Sequence, residues 1–129
     1  MEKHVDLQVL ATLREVMEGE YPTLLEVFIK DSEKRVVELN GLIRDPGFSS
    51  TNPQHLKHLA DKAHSFKGSC SNMGAVYLTG LCRELEELAR GQVRLGGDEV
   101  SQRVAAITGE FIVVRDLFEV QLHSALDGH

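Results

Sequence analysis

Apolar residues along the 129-residue chain recur at spacings of three and four, and nowhere do they alternate in twos over a useful length. That period predicts helices and no sheet. A first segment, about residues 5–18, sets Val9, Leu10, Leu13, Val16 and Met17 on one face and ends at Gly19. A second, about 22–44, has Pro22 in its first turn and carries Leu25, Phe28, Ile29, Val36, Leu39 and Ile43. The stretch "RDPGFSSTNPQ" then reads as a loop, with Asn52 as an N-cap and Pro53 at the first position of the next helix. The third segment, about 53–72, repeats Leu56, Leu59, Ala63, Phe66, Cys70 and Met73 at strict three-four spacing, and Gly74 stands where it would end or bend. The fourth, about 75–90, carries Leu78, Leu81, Leu85 and Leu88. After a second loop, "GQVRLGG", the fifth runs over about 98–126 with Val100, Val104, Ile107, Phe111, Val114, Phe118 and Leu122. Single apolar stripes and short connections predict an all-α fold, an antiparallel four-helix bundle with an additional short N-terminal helix. The whole chain, residues 1–129, reads as one domain.

Charge narrows the partners. The net charge of −6 argues against nucleic acid or an anionic membrane as the main partner. No apolar run is long enough to span a membrane, and the first twenty residues lack the order of a signal peptide, so a cytoplasmic protein is expected. Cys70 and Cys82 both lie on helix stripes and are expected as buried free thiols rather than a disulfide.

The candidate chemistry sits on the third segment, in "AHSFKGSCSNMGA". At about 100° per residue, His64 points roughly 140° away from the apolar stripe, and Gly68 nearly opposite it. Lys57 and Asp61 share that outer side, with Lys67 and Ser71 flanking it. A packed core histidine is thus disfavoured, and a merely solvated one is the plain alternative. The neighbours argue for more. Glycine inside a helix costs about 0.5–1 kcal/mol relative to alanine, yet Gly68 stands one turn from His64 and leaves open space beside the ring. Lys67 brings an ammonium within reach of an anion on the imidazole, and Ser71 adds a hydroxyl a further turn along. A neutral imidazole with an open approach is a nucleophile.

"HSFKGSCSNMGA" resembles the signature of the histidine-containing phosphotransfer (HPt) family, in which Lys-Gly follows a histidine at the third and fourth positions. The segment "LCRELEELAR" is similar to the helix that packs beside it in that family, so the resemblance covers essentially the whole bundle. It implies that His64 accepts a phosphoryl group through Nε2, that Lys67 balances its charge and that Gly68 clears its approach. Glu86 stands where family members often carry a polar residue that orients the imidazole, with Arg90 one turn on; glutamine is another common choice there. Receiver domains of hybrid sensor kinases and response regulators are the implied partners, docking over Lys57, Ala60, Asp61, Lys67, Gly68 and Ser71. The chain would then be a stand-alone monomeric relay of bacterial type with no cofactor of its own, Mg²⁺ being supplied by the receiver.

Three rivals deserve weighing. His55 and His58 form an i, i+3 pair, but no cysteine or carboxylate completes an evident metal set. A histidine kinase would need a nucleotide site, and no Gly-rich phosphate loop follows a strand here. An adaptor working without phosphorylation would have no use for His64, Lys67 and Gly68 together.

Overall fold

Four of the five apolar stripes become continuous inner faces in the computed structural model, which describes residues 4–91 and 97–128. The helices are α1 (Leu7–Met17), α2 (Tyr21–Arg44), α3 (Pro53–Asn72), α4 (Val76–Arg90) and α5 (Gly97–Gly128), with one 3₁₀ turn, Glu18–Glu20, between α1 and α2. Among the described residues there is no strand. Most of the loop expected over 91–97 lies outside the described residues.

Contacts across the bundle fix its topology. Between α2 and α3, Arg35 meets Ser65 and Glu38 meets Lys62, so residue numbers fall on one helix as they rise on the other. The same inverse order joins α3 to α4, where Asp61 meets Arg90 and His64 meets Glu86. It also joins α2 to α5, where the Phe28 and Phe118 rings lie 4.9 Å apart and Asn40 reaches Thr108. Each pair is therefore antiparallel. Helices α2 to α5 form a ring of four around a core that includes Leu25, Leu39, Leu59, Phe66, Leu78, Leu85, Ile107 and Phe118, all fully buried. Burial of that apolar surface, rather than helix propensity, holds the bundle together. Cys70 and Cys82 are buried and free, as the stripes predict.

Local signals set the helix ends. The Asn52 side chain accepts from the backbone N–H groups of Gln54 and His55 while Pro53 fills the first position of α3. At the other end of α3, Gly74 takes φ +73°; its N–H donates to Ser71 O and the Ala75 N–H to Cys70 O, the paired bonds of a Schellman ending. The N-terminal segment docks on this turn: Asp6 N–H donates to Gly74 O at 2.8 Å, and Val5 and Leu10 are buried.

Segment one is where expectation and structure part. The helix begins at Leu7 rather than near residue 5, and Val16, assigned to its apolar face, is 72 % exposed. A short helix laid against the bundle buries only the strip around Leu10, too narrow to take in Val16. The chain leaves α1 at Glu18, which holds a positive φ of +50°, and not at Gly19.

Gly74 carries a prediction. An added Cβ would stand 2.9 Å from Val9 Cβ and 3.1 Å from Asp6 O, in a backbone region that side chains avoid. Gly74→Ala should therefore cost about 1–3 kcal/mol and loosen the N-terminal segment first. Denaturant midpoints and amide exchange at Asp6 would check this; an unchanged midpoint would mean that the turn relaxes freely.

Candidate functional site

Helix α3 turns one face to the core and the other to water, and His64 lies on the second. Its side chain is 62 % exposed, and its ring reaches sideways to α4, where Nδ1 lies 2.9 Å from Glu86 Oε2. Glu86 is the centre of the site. Its side chain is only 11 % exposed, although the helix period sets it off the main apolar stripe. Lys67 Nζ donates to Glu86 Oε1 at 2.7 Å, and Arg90 Nε donates to Oε2 at 3.0 Å. Arg90 reaches back to α3 as well, its Nη2 donating to Asp61 Oδ1 at 3.0 Å. Asp61 in turn accepts from Lys57 at 3.3 Å. Two helices thus share one polar network of six side chains.

The charges follow from these contacts. The hydrogen bond from Lys67, helped by the one from Arg90, holds the Glu86 carboxyl down to about 2 against the opposing effect of burial. Asp61 is held below the usual carboxylate range by its hydrogen bonds from Arg90 and Lys57, and Arg90 is raised by Glu86 and Asp61. An ionised carboxylate only accepts, so the ring hydrogen facing Glu86 belongs to Nδ1. In the neutral imidazole, Nε2 is then the nitrogen with the free lone pair. It lies on the far side of the ring from Glu86.

One turn along α3 the surface at Gly68 is open: a Cβ built on it meets nothing within 4 Å. Ser71 is exposed one turn further along α3. Lys57 and Asp61 are also exposed, whereas Ala60 is fully buried and is removed from the expected docking face. It belongs to the buried apolar cluster, four residues after Leu56 and three before Ala63 on the inner stripe of α3. His55, considered above as a metal ligand, accepts the Ser49 backbone N–H at Nδ1 and stacks on Phe48, fastening the loop before α3. Among the described residues no group of three or more His, Cys, Asp or Glu side chains is placed to hold a metal.

The bridge from Arg90 to Asp61 is absent from any reading of spacing. Finding it requires the α3–α4 register, which one sequence does not display.

Acid should expose the network. Because Glu86 binds its proton less readily folded than unfolded, its contribution is complete above about pH 4.5 and lost as pH falls toward 2. Glu86→Gln should lower stability at pH 7 by about 1–3 kcal/mol and flatten the stability profile between those limits. Urea titrations across that range test it; parallel profiles for the two proteins would place the acid sensitivity elsewhere.

The Hpt domain family profile matches residues 23–127. No curated protein matches the chain. Among solved structures, histidine-containing phosphotransfer protein B (HptB) from Pseudomonas aeruginosa is 43 % identical, with a TM-score of 0.75 over 93 % of this chain and 95 % of that one. A histidine-containing phosphotransfer protein from maize, 22 % identical, shares the fold with a TM-score of 0.73 over 90 % of this chain and 85 % of its own.

Proposed function

The chain belongs to the Hpt domain family, and from that membership we propose that it relays a phosphoryl group between receiver domains through His64. The observation that carries this reading is the ionised Glu86 on Nδ1, which leaves the Nε2 lone pair free, with open space at Gly68 one turn along the helix.

The step balances without an added proton carrier. A receiver presents an aspartyl phosphate; the Nε2 lone pair forms the N–P bond in line as the P–O bond breaks. The electron pair leaves on the aspartate carboxylate. The ring keeps its Nδ1 hydrogen and becomes a cation, which the Glu86 charge stabilises. Onward transfer is the reverse step toward a second receiver's aspartate, with neutral imidazole as the leaving group. Lys67 offsets the charge on the phosphoryl oxygens, and Ser71 offers a hydroxyl at the rim. Such transfer is mostly positioning and charge stabilisation, and the Mg²⁺ it needs is assigned to the receiver. Lys57, Asp61, Lys67, Gly68 and Ser71 form the docking face. The protein is assigned to the cytoplasm as a monomer, and its partnership with receivers is brief.

A phosphorylated receiver carrying labelled phosphate tests the proposal. The label should pass to this protein as an acid-labile, base-stable adduct. Labelled ATP with Mg²⁺ but no kinase should leave it unlabelled, and stoichiometric labelling by ATP would assign the chain to kinase chemistry instead.

A further inference from the structure

Glu86 holds two cations whose tasks in a transfer step differ. Lys67 is needed at the phosphoryl group, yet its ammonium is bonded to Glu86 Oε1 at 2.7 Å. The same carboxylate must stay on His64 Nδ1 throughout, since that contact fixes which ring nitrogen reacts. If Lys67 alone held Glu86, its departure toward the incoming phosphoryl oxygens would release the orienting group when the ring becomes a cation. Something else has to keep Glu86 in place.

Arg90 has the geometry for that. Its Nε donates to Oε2, the oxygen that faces the imidazole, and its Nη2 is tied to Asp61 on the neighbouring helix at 3.0 Å. Lysine is a point charge on a flexible stem, whereas a guanidinium is a planar fork that loses little freedom on binding two acceptors. The two cations are thus suited to opposite fates, one to move and one to stay. Asp61 is itself backed by Lys57, so the anchor is not an isolated surface pair.

We infer that Arg90 is a positioning residue: fixed to α3 through Asp61, it holds Glu86 on His64 Nδ1 and so frees Lys67 to follow the phosphoryl group. The inference rests on the relay reading for its purpose, but the hold on Glu86 exists in the unphosphorylated protein and is measurable there. Arg90 touches neither the ring nor the reacting phosphorus. It acts through Glu86.

The charged and titratable groups at Glu86 are His64 and Lys67 from α3 and Arg90 from its own helix, with Asp61 and Lys57 behind Arg90. The test uses the full chain as wild type, Arg90→Gln, Arg90→Lys, Lys67→Ala and the Arg90→Gln/Lys67→Ala double variant. Nitrogen-15 spectra of the imidazole, recorded over a pH series without phosphate, report the His64 tautomer. Wild type should hold the Nδ1–H form, Arg90→Gln should lose part of that preference, and Arg90→Lys should recover some of it. Loading with the small donor phosphoramidate then gives the phosphohistidine lifetime. Arg90→Gln should shorten it about two- to tenfold, the span of one hydrogen bond. The same change should matter at least as much once Lys67 is absent, because Arg90 is then the cation left bonded to Glu86. A wild-type tautomer population in Arg90→Gln, or a lifetime effect that disappears in the Lys67→Ala background, would overturn the inference. Failure of the wild-type protein to load from phosphoramidate or from a receiver would sink the relay reading instead. The tautomer series would still decide whether Arg90 holds Glu86.

Discussion

His64→Gln should lose phosphoryl uptake to background while its unfolding transition stays within about 0.5 kcal/mol of wild type, the usual range for an exposed position. The two halves of this expectation have separate causes. The side chain is 62 % exposed, so little packing is lost with the ring. A glutamine amide can still donate to Glu86, which spares the carboxylate an empty neighbour. It offers no nucleophilic nitrogen, because an amide lone pair is delocalised into the carbonyl. Uptake from a labelled receiver, followed by acid and alkali treatment, reads the first half, and a urea titration reads the second. Acid-labile label retained by His64→Gln would point to a different acceptor, with His58 on the same helix the first to examine. His55 is a poor substitute, since its Nδ1 already accepts the Ser49 N–H and its ring is stacked on Phe48.

How much of this was legible in the sequence depends on whether an effect is local. The stripe from Leu56 to Met73 sufficed to set His64 toward water, because helical period alone decides which side a residue faces. Asn52, Pro53 and Gly74 marked the ends of α3 for the same reason: caps act within a few residues. Segment one was legible only in part. Its apolar face was drawn from its own period, but how much of that face is covered depends on the surface it docks against, and Val16 stays outside. Ala60 shows the converse, a small residue that the resemblance implies for the docking face and that the fold buries. The family resemblance points to Glu86, whereas its burial and its three partners depend on the register of α3 against α4. Periodicity contains no register. The Asp61–Arg90 bridge, 29 positions apart in sequence, belongs to the same class.

Gly68 separates stability from function, and the two should move in opposite directions. A Cβ at this position meets nothing within 4 Å, so neither close packing nor an unusual backbone accounts for the glycine. On an exposed helical site, Gly68→Ala should stabilise the fold by about 0.5–1 kcal/mol, through helix propensity and the reduced entropy of the unfolded chain. That gain is available at no structural cost, and under the proposed relay the approach to His64 accounts for the glycine. Gly68 stands one turn beyond His64 on the same outer side of α3, and a side chain there would occupy space that the proposed docking of a receiver uses. Alanine adds one methyl and should slow transfer modestly. Glutamine extends past the ring and should slow it at least tenfold, a loss of about 1.4 kcal/mol in the barrier. Denaturant midpoints and transfer rates from one phosphorylated receiver, measured for wild type and both variants, separate the two effects. Fast transfer through Gly68→Gln would refute the clearance argument. A destabilised Gly68→Ala would contradict the open space itself. A more stable Gly68→Ala beside a slow Gly68→Gln would identify Gly68 as a position where helix stability is given up for access to Nε2.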